Sequence, residues 1–365
     1  MFQLLRRGWA SSLVALLLCA VVLPAQARVI PDLYEVVEAV PSRGATDRAD
    51  ASSRGLEQVF VRVTGDADIG SNPQLKPLLA AARQYVQSYR YESEDNQLYL
   101  HLSYDPQAVA EQVHKLQLPM WPNNRPATLV WLAVDSLRDG RSALSENDSP
   151  ELYAALDGIA MQRGLPVDFP VMDANDRGKM PLGNLWAQDE QAAERAAVRY
   201  RPDATLMGRL LEISDNRWQA NWLLIQGGRS YAFDASGDSM EQVAMRGIDE
   251  AANVLAQRYA VRPDNGGGQQ SAVVVEISGV DSFAAYTAAS SYLQGLAQVS
   301  AAELLSVDRD RLRFALTTAA PLPRLRDALA LNRKLHQRAD EGPIDLSGYR
   351  APAGSAQNPL SYDWH

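Results

Sequence analysis

Cysteine is all but missing from this chain. The one thiol among 365 residues, Cys19, falls in an N-terminal stretch that reads as a secretory signal. Arg6 and Arg7 form a short positive start, and residues 12–23 are an apolar run too brief to cross a bilayer as a helix. Pro24 ends that run, and Ala25-Gln26-Ala27 is a small-x-small cleavage site. Leu18 precedes Cys19 where lipid attachment needs a small residue, which argues against a lipid anchor. Cleavage after Ala27 leaves 338 residues with no disulfide, no thiol nucleophile and no cysteine-held metal. A cysteine-free exported chain suits an oxidising compartment, and the expected location is the periplasm.

Histidine is nearly as scarce. His101, His114, His336 and His365 are the whole set, none is spaced to share a metal with another, and no His-Glu-x-x-His occurs. The chain also lacks a Gly-x-Ser-x-Gly elbow, a P-loop and a Gly-x-Gly-x-x-Gly turn behind a strand. A Ser-His-Asp triad assembles in space, so spacing alone does not exclude one. No later stretch is apolar for 18 residues, so no membrane span is expected after signal cleavage. The net charge is −9 and falls to −11 without the signal, which holds two arginines and no acid. That balance argues against nucleic acid or an anionic membrane as partner.

What remains is a patterned, globular sequence with two punctuation marks, "PMWPNNRP" at 119–126 and the Gly-rich run at 263–270. They divide residues 28–118, 127–262 and 271–341 into three small modules of α/β and α+β type. The first shows a strand at 33–40, a helix at 47–60 running on into "VFVRVTG", and helical spacing over 73–86. A hairpin of "YVQSYRYE" and "QLYLHLSYD" follows, then a helix that Asp105 caps and Pro106 starts.

The middle module opens with "ATLVWLAV", continuous and apolar as in a strand covered on both faces. A helix from Ser149-Pro150 to Gly164, a second strand at 166–172, an alanine-rich helix at 189–200 and a third strand from residue 204 make a βαβαβ sheet with parallel pairing. An antiparallel extension follows in "WQANWLLIQGG". Trp218, Ala220, Trp222 and Leu224 share one side of it, which reads as core packing rather than a ligand wall. Ser239 and Gln242 form a capping box that opens a helix to Tyr259. The last module reads as βαββα, a ferredoxin-like unit without its final strand, with Phe283, Tyr286, Ser290 and Leu293 sharing one face of its first helix. Residues 342–365 read as a disordered tail ending in "SYDWH".

Candidate site residues come from topology. Ligands of open α/β sheets sit beyond the carboxyl ends of parallel strands. In the middle module that rim would carry Asp135, Asp139, Asp173, Asn175 and Asp176, able to meet a cation or a basic partner. "DANDRGKM" lacks the ligand spacing of an EF-hand, and no cofactor or catalytic residue is assigned.

Six pieces carry a family resemblance: "LYEVVEAVPSR", "GLEQVFVRVTGD", "YVQSYRYE", "LPMWPNNRPATLVWLAVD", "RPDATLMGRL" and "WQANWLLIQGG". Over residues 33–331 the chain resembles domain-of-unknown-function family two thousand sixty-six, a group of exported gammaproteobacterial proteins. The resemblance implies an envelope protein and brings no catalytic residues with it. The middle module is also similar in outline to small α/β modules of periplasmic accessory proteins. The expectation is a non-enzymatic periplasmic protein that binds another cell-envelope protein, with strand addition at a sheet edge as a natural mode. A hydrolase acting on cell-wall material, or a metal- or sugar-binding module, is the alternative.

Overall fold

The computed structural model describes residues 33–261, 271–296, 298–331, 334–338 and 351–365. The expected signal peptide and Gly-rich linker lie outside the described residues. The protein is mixed α/β, with helices packed on three separate sheets.

In the first module β1 (Glu35–Val40), β2 (Val86–Glu94) and β3 (Gln97–Tyr104) form an antiparallel sheet in the order β1-β3-β2. Asp95 and Asn96 take positive φ in the β2–β3 turn, a conformation the tight hairpin requires. Helix α1 (Ala45–Thr64) places Leu56, Val59, Phe60 and Val63 on one stripe, and all four are buried against Leu100, Leu102 and Tyr104 of β3. The helical spacing after residue 73 yields only the short α2 (Lys76–Ala80), with Pro77 in its first turn. Helix α3 (Pro106–Lys115) starts as expected, since the Asp105 carboxylate accepts from the N–H groups of Gln107 and Ala108.

The middle sheet runs β5 (Gly140–Ala143), β4 (Thr128–Ser136), β7 (Ala204–Ser214), β8 (Arg217–Gln226), β9 (Arg229–Gly237), with β6 (Val167–Asp168) also paired to β4. The β4–β6 and β4–β7 ladders are parallel and the others antiparallel. The second strand is shorter than its apolar run suggests, because β6 pairs only with Thr128 and Leu129 before the chain leaves the sheet. Helices α4 (Pro150–Arg163) and α8 (Met240–Tyr259) cover one face. Helices α5 (Ala174–Lys179), α6 (Leu182–Ala187) and α7 (Glu190–Ala197) cover part of the other. Trp222 is fully buried between β7 and α8. A methyl at Gly208 or Gly247 would overlap its ring, so two glycines open the slot that one indole fills. Trp218 packs at the edge of the same core.

The last module has β10 (Ser271–Ser278), α9 (Phe283–Gln294), β11 (Ala301–Asp308), β12 (Arg311–Thr318), α10 (Leu322–Ala330), β13 (Leu335–Gln337) and β14 (Leu360–Trp364). The sheet order is β11-β12-β10-β14-β13. Phe283 and Tyr286 share a side of α9, their ring centroids 6.0 Å apart, yet Phe283 is 81% exposed while Ala289 and Leu293 are buried. One expectation is corrected here. The end of the tail is not disordered. "LSYDW" is a strand, and it lies beside β10, parallel to it. Leu360 and Tyr362 are buried there, so alternation of apolar residues outweighs the Pro- and Gly-rich composition around them.

Candidate functional site

The expected rim does not assemble. A crevice at the carboxyl ends of β4 and β7 requires those strands to part. Here they stay paired as far as Asp135 and Leu211, and each runs on into an antiparallel hairpin. The Leu137 N–H donates to the Glu212 carboxylate at 2.9 Å and closes the gap further. Asp135 is taken by Arg141 at 2.8 Å, and that guanidinium lies 3.8 Å from the Trp186 ring centroid. Asp139 is exposed in the β4–β5 turn.

Asp173, Asn175 and Asp176 lie elsewhere, in the helical cover. Asp173 caps α5 by accepting the Asp176 N–H at 3.0 Å and pairs with Arg199 at 2.8 Å. These contacts, the backbone bond first, hold its carboxyl below the usual range. Asp176 is 1% exposed and saturated: it accepts from Met172 N–H at 3.0 Å, Tyr200 O–H at 2.5 Å and Arg199 at 3.1 Å. Burial, then the bond to Asp176, pushes the Tyr200 phenol up to about 12. Asn175 is exposed on α5. The structure therefore splits the five residues into two sets, and the paired carboxylates serve to pin loops and helices.

The histidines build no hydrolytic centre among the described residues. His101 stands on the outer face of the first sheet, its Nε2 2.9 Å from Glu92 and its Nδ1 3.1 Å from Arg90. Arginine has no acceptor, so Nδ1 accepts and the proton sits on Nε2, facing Glu92. Both ring nitrogens are thus engaged by charged groups, with no hydroxyl in the chain of contacts. His336 and His365 pack edge to face, 4.5 Å apart. No group of three or more His, Cys, Asp or Glu among the described residues is placed to hold a metal ion.

The large concavity is where the three modules meet. A cleft of about 1070 Å³ is bounded by the loop after α1, the last turns of α8, and the β12–α10 corner. Thr64, Asp66 and Asp68 line it together with Gln257, Arg258, Gln298 and Arg324. The corner after α1 exists because Gly65 adopts φ 76° as its C-cap, with its N–H returning to Val61 O at 2.9 Å. Asp66 then accepts the Asp68 N–H at 2.9 Å and turns the loop toward the cleft. Gln298 is only 9% exposed, and its amide has no hydrogen-bond partner among the described residues. Asp68, His114 and Arg324 also line the cleft without a side-chain partner among those residues. Arg258 is held by Asp327 at 2.8 Å. The cleft offers both signs of charge and an amide without a protein partner among the described residues, a combination suited to binding.

Spacing could not find this site, because its lining comes from stretches as far apart in sequence as Thr64 and Arg324. One local signal was available: "VTGDAD", a glycine cap followed by two acids.

Residues 27–122 match the model of a domain of unknown function, DUF8605. This overturns the resemblance drawn from the sequence: the matching family is a different one, and its match covers residues 27–122 rather than 33–331. No curated protein matches the chain.

Proposed function

We propose that this chain is a non-enzymatic accessory protein of the cell envelope, exported to the periplasm, which binds another envelope protein through the cleft between its modules. The observation that supports this reading is the cleft itself, where the side chains of Asp68, His114, Gln298 and Arg324 have no partner among the described residues. Asp135, Asp173 and Asp176 are each engaged by an arginine. In the cleft, Asp68 and Arg324 bring opposite charges without a partner among the described residues, so a peptide segment carrying both charge signs is the fitting ligand. Gln298 would supply an amide to its backbone.

The test is site-specific photo-cross-linking of the full chain in intact envelopes. A cross-linker at Ala320, in the cleft, is expected to capture one reproducible protein. A cross-linker at Asp139, on the closed end of the middle sheet, is expected to capture none. Equal capture at both positions, or none at Ala320, overturns the reading. Release of soluble fragments from cell-wall material by the purified protein would instead establish the hydrolase.

A further inference from the structure

The strand β14 joins its sheet in an unusual way. It runs parallel to β10, pairing Val275 with Leu360, Glu276 with Ser361, Ile277 with Tyr362 and Ser278 with Asp363. On its other side it pairs antiparallel with β13, which has no other strand neighbour. The last module thus closes over a slot between β10 and β13, and the chain's own C-terminus fills it.

The slot reads the incoming strand closely. Leu360 and Tyr362 point into the core, Trp364 packs 6.3 Å from Tyr292, and Asp363 meets Arg338 at 2.8 Å. The segment before the strand follows the same edge, since Val274 N–H donates to Gly354 O at 2.7 Å. Residues 338–359 separate β14 from β13, and a chain of that length spans at most about 70 Å. That is enough to reach the slot of a neighbouring molecule. The complementary strand belongs to this chain, so every copy carries both the slot and the segment that fits it.

We propose that the slot between β10 and β13 accepts the C-terminal strand of a second copy, giving a strand-exchanged dimer. The contacts in the exchanged form are those of the closed monomer, so concentration selects between the two. This inference does not rest on the cleft, which lies outside the slot.

The absence of cysteine from residues 28–365 makes a clean test possible. Glu276 and Ser361 are register partners on adjacent strands, at a spacing a disulfide can bridge. In the full chain with Cys19→Ser, the pair Glu276→Cys and Ser361→Cys in one molecule is expected to form an internal disulfide, which fixes the register in solution. The two substitutions are then placed in separate molecules, mixed at high concentration and equilibrated before oxidation. A covalent heterodimer linked through positions 276 and 361 is expected. Its yield should be roughly tenfold or more above that of a Glu276→Cys and Thr287→Cys control mixture, because register pairing raises the local thiol concentration. A synthetic peptide of residues 358–365 should suppress it. An internal disulfide in the double variant with no heterodimer above control overturns the exchange. Failure of the internal disulfide overturns the slot as well.

Discussion

Two junctions hold the three modules together, and they are built in opposite ways. Between the first and middle modules the contact is dry and directional. Arg125 is 2% exposed and donates to five carbonyl oxygens, those of Arg62, Trp121, Pro122, Arg163 and Gly164, at 2.5 to 3.3 Å. Its guanidinium also lies 4.1 Å from the Trp121 ring centroid. Arg163, equally buried, reaches Gly65 O at 2.8 Å, Asn253 at 2.6 Å and the carboxylate of Asp249. Arg62 donates to Glu35 O at 2.6 Å. Of these three guanidiniums, only that of Arg163 meets a carboxylate, the one of Asp249. Much of the compensation comes from the carbonyl ends of α1 and α4, which converge here and carry partial negative charge. Burial lowers the affinity of Arg125 and Arg62 for their protons, the expected sign for a cation taken out of water. Between the middle and last modules, by contrast, stand the open cleft, the Arg258–Asp327 pair and Leu331, which inserts into the middle core. The first junction specifies one geometry; the second leaves room for a ligand.

The sharpest way to break this comparison is Arg125→Leu. It orphans several buried carbonyls at once, and the expected loss is about 3–5 kcal/mol. In urea unfolding the first module should separate as an early transition, whereas the native chain keeps the first two modules coupled. Arg125→Lys keeps the charge but lacks the planar fork and should recover less than half of the loss. Native-like coupling in both variants would show that the guanidinium is incidental. Next in size is Gly65→Ala. Its methyl would meet Ala256 and the Trp121 ring while the backbone stays at positive φ. A loss of about 1–3 kcal/mol in thermal or chemical unfolding follows from overpacking and left-handed strain.

The contrast between the junctions was only partly legible in the sequence. Periodic segments announced themselves: Leu56 to Val63 on α1, the alternation through Trp222, and the Asp105 cap all appear where the pattern places them. The connector at 119–126 showed its prolines but hid its role. Arg125 looks like a solvent residue until three chain segments deliver carbonyls around it. The rim failed for a related reason. Strand order sets where a crevice can open, but hairpins at the ends of β4 and β7 decide whether it does. The tail misled through composition, since five alternating residues suffice for a strand once β10 offers a partner. The cleft walls are close only in space, so periodicity carries no trace of them.

At the second junction the expected effects are smaller. Arg258→Ala and Asp327→Ala should each lower stability modestly, with a coupling below about 1 kcal/mol in a double-mutant cycle, because the pair is partly open to solvent. The more telling readout is limited proteolysis. Either change should speed cleavage around residues 262–270 while the first two modules resist as before. Faster cleavage within the first module would mean the junctions are not independent.

The smallest effect is expected away from both junctions, in the cover of helices α5 to α7, and it serves as the reference for the comparison. Asp173 titrates below the ordinary 3.8, so its contribution is intact above that value and is lost as pH falls through the lower native one. Tyr200 titrates near 12 instead of 10.0, so its contribution is intact below 10.0 and is lost as pH rises toward 12. Between these limits neither group changes charge in either state, and local stability should be flat. Hydrogen exchange in residues 174–197 should show this plateau, with an acid limb that Asp173→Asn flattens and an alkaline limb that Tyr200→Phe flattens. Trp131, whose ring lies 6.4 Å from Tyr200, reports the alkaline limb by fluorescence. A plateau unchanged at both ends in the two variants would mean that the cluster around Asp176 does not hold the helical cover in place. The acids of the expected rim would then have no structural role to account for their pairing.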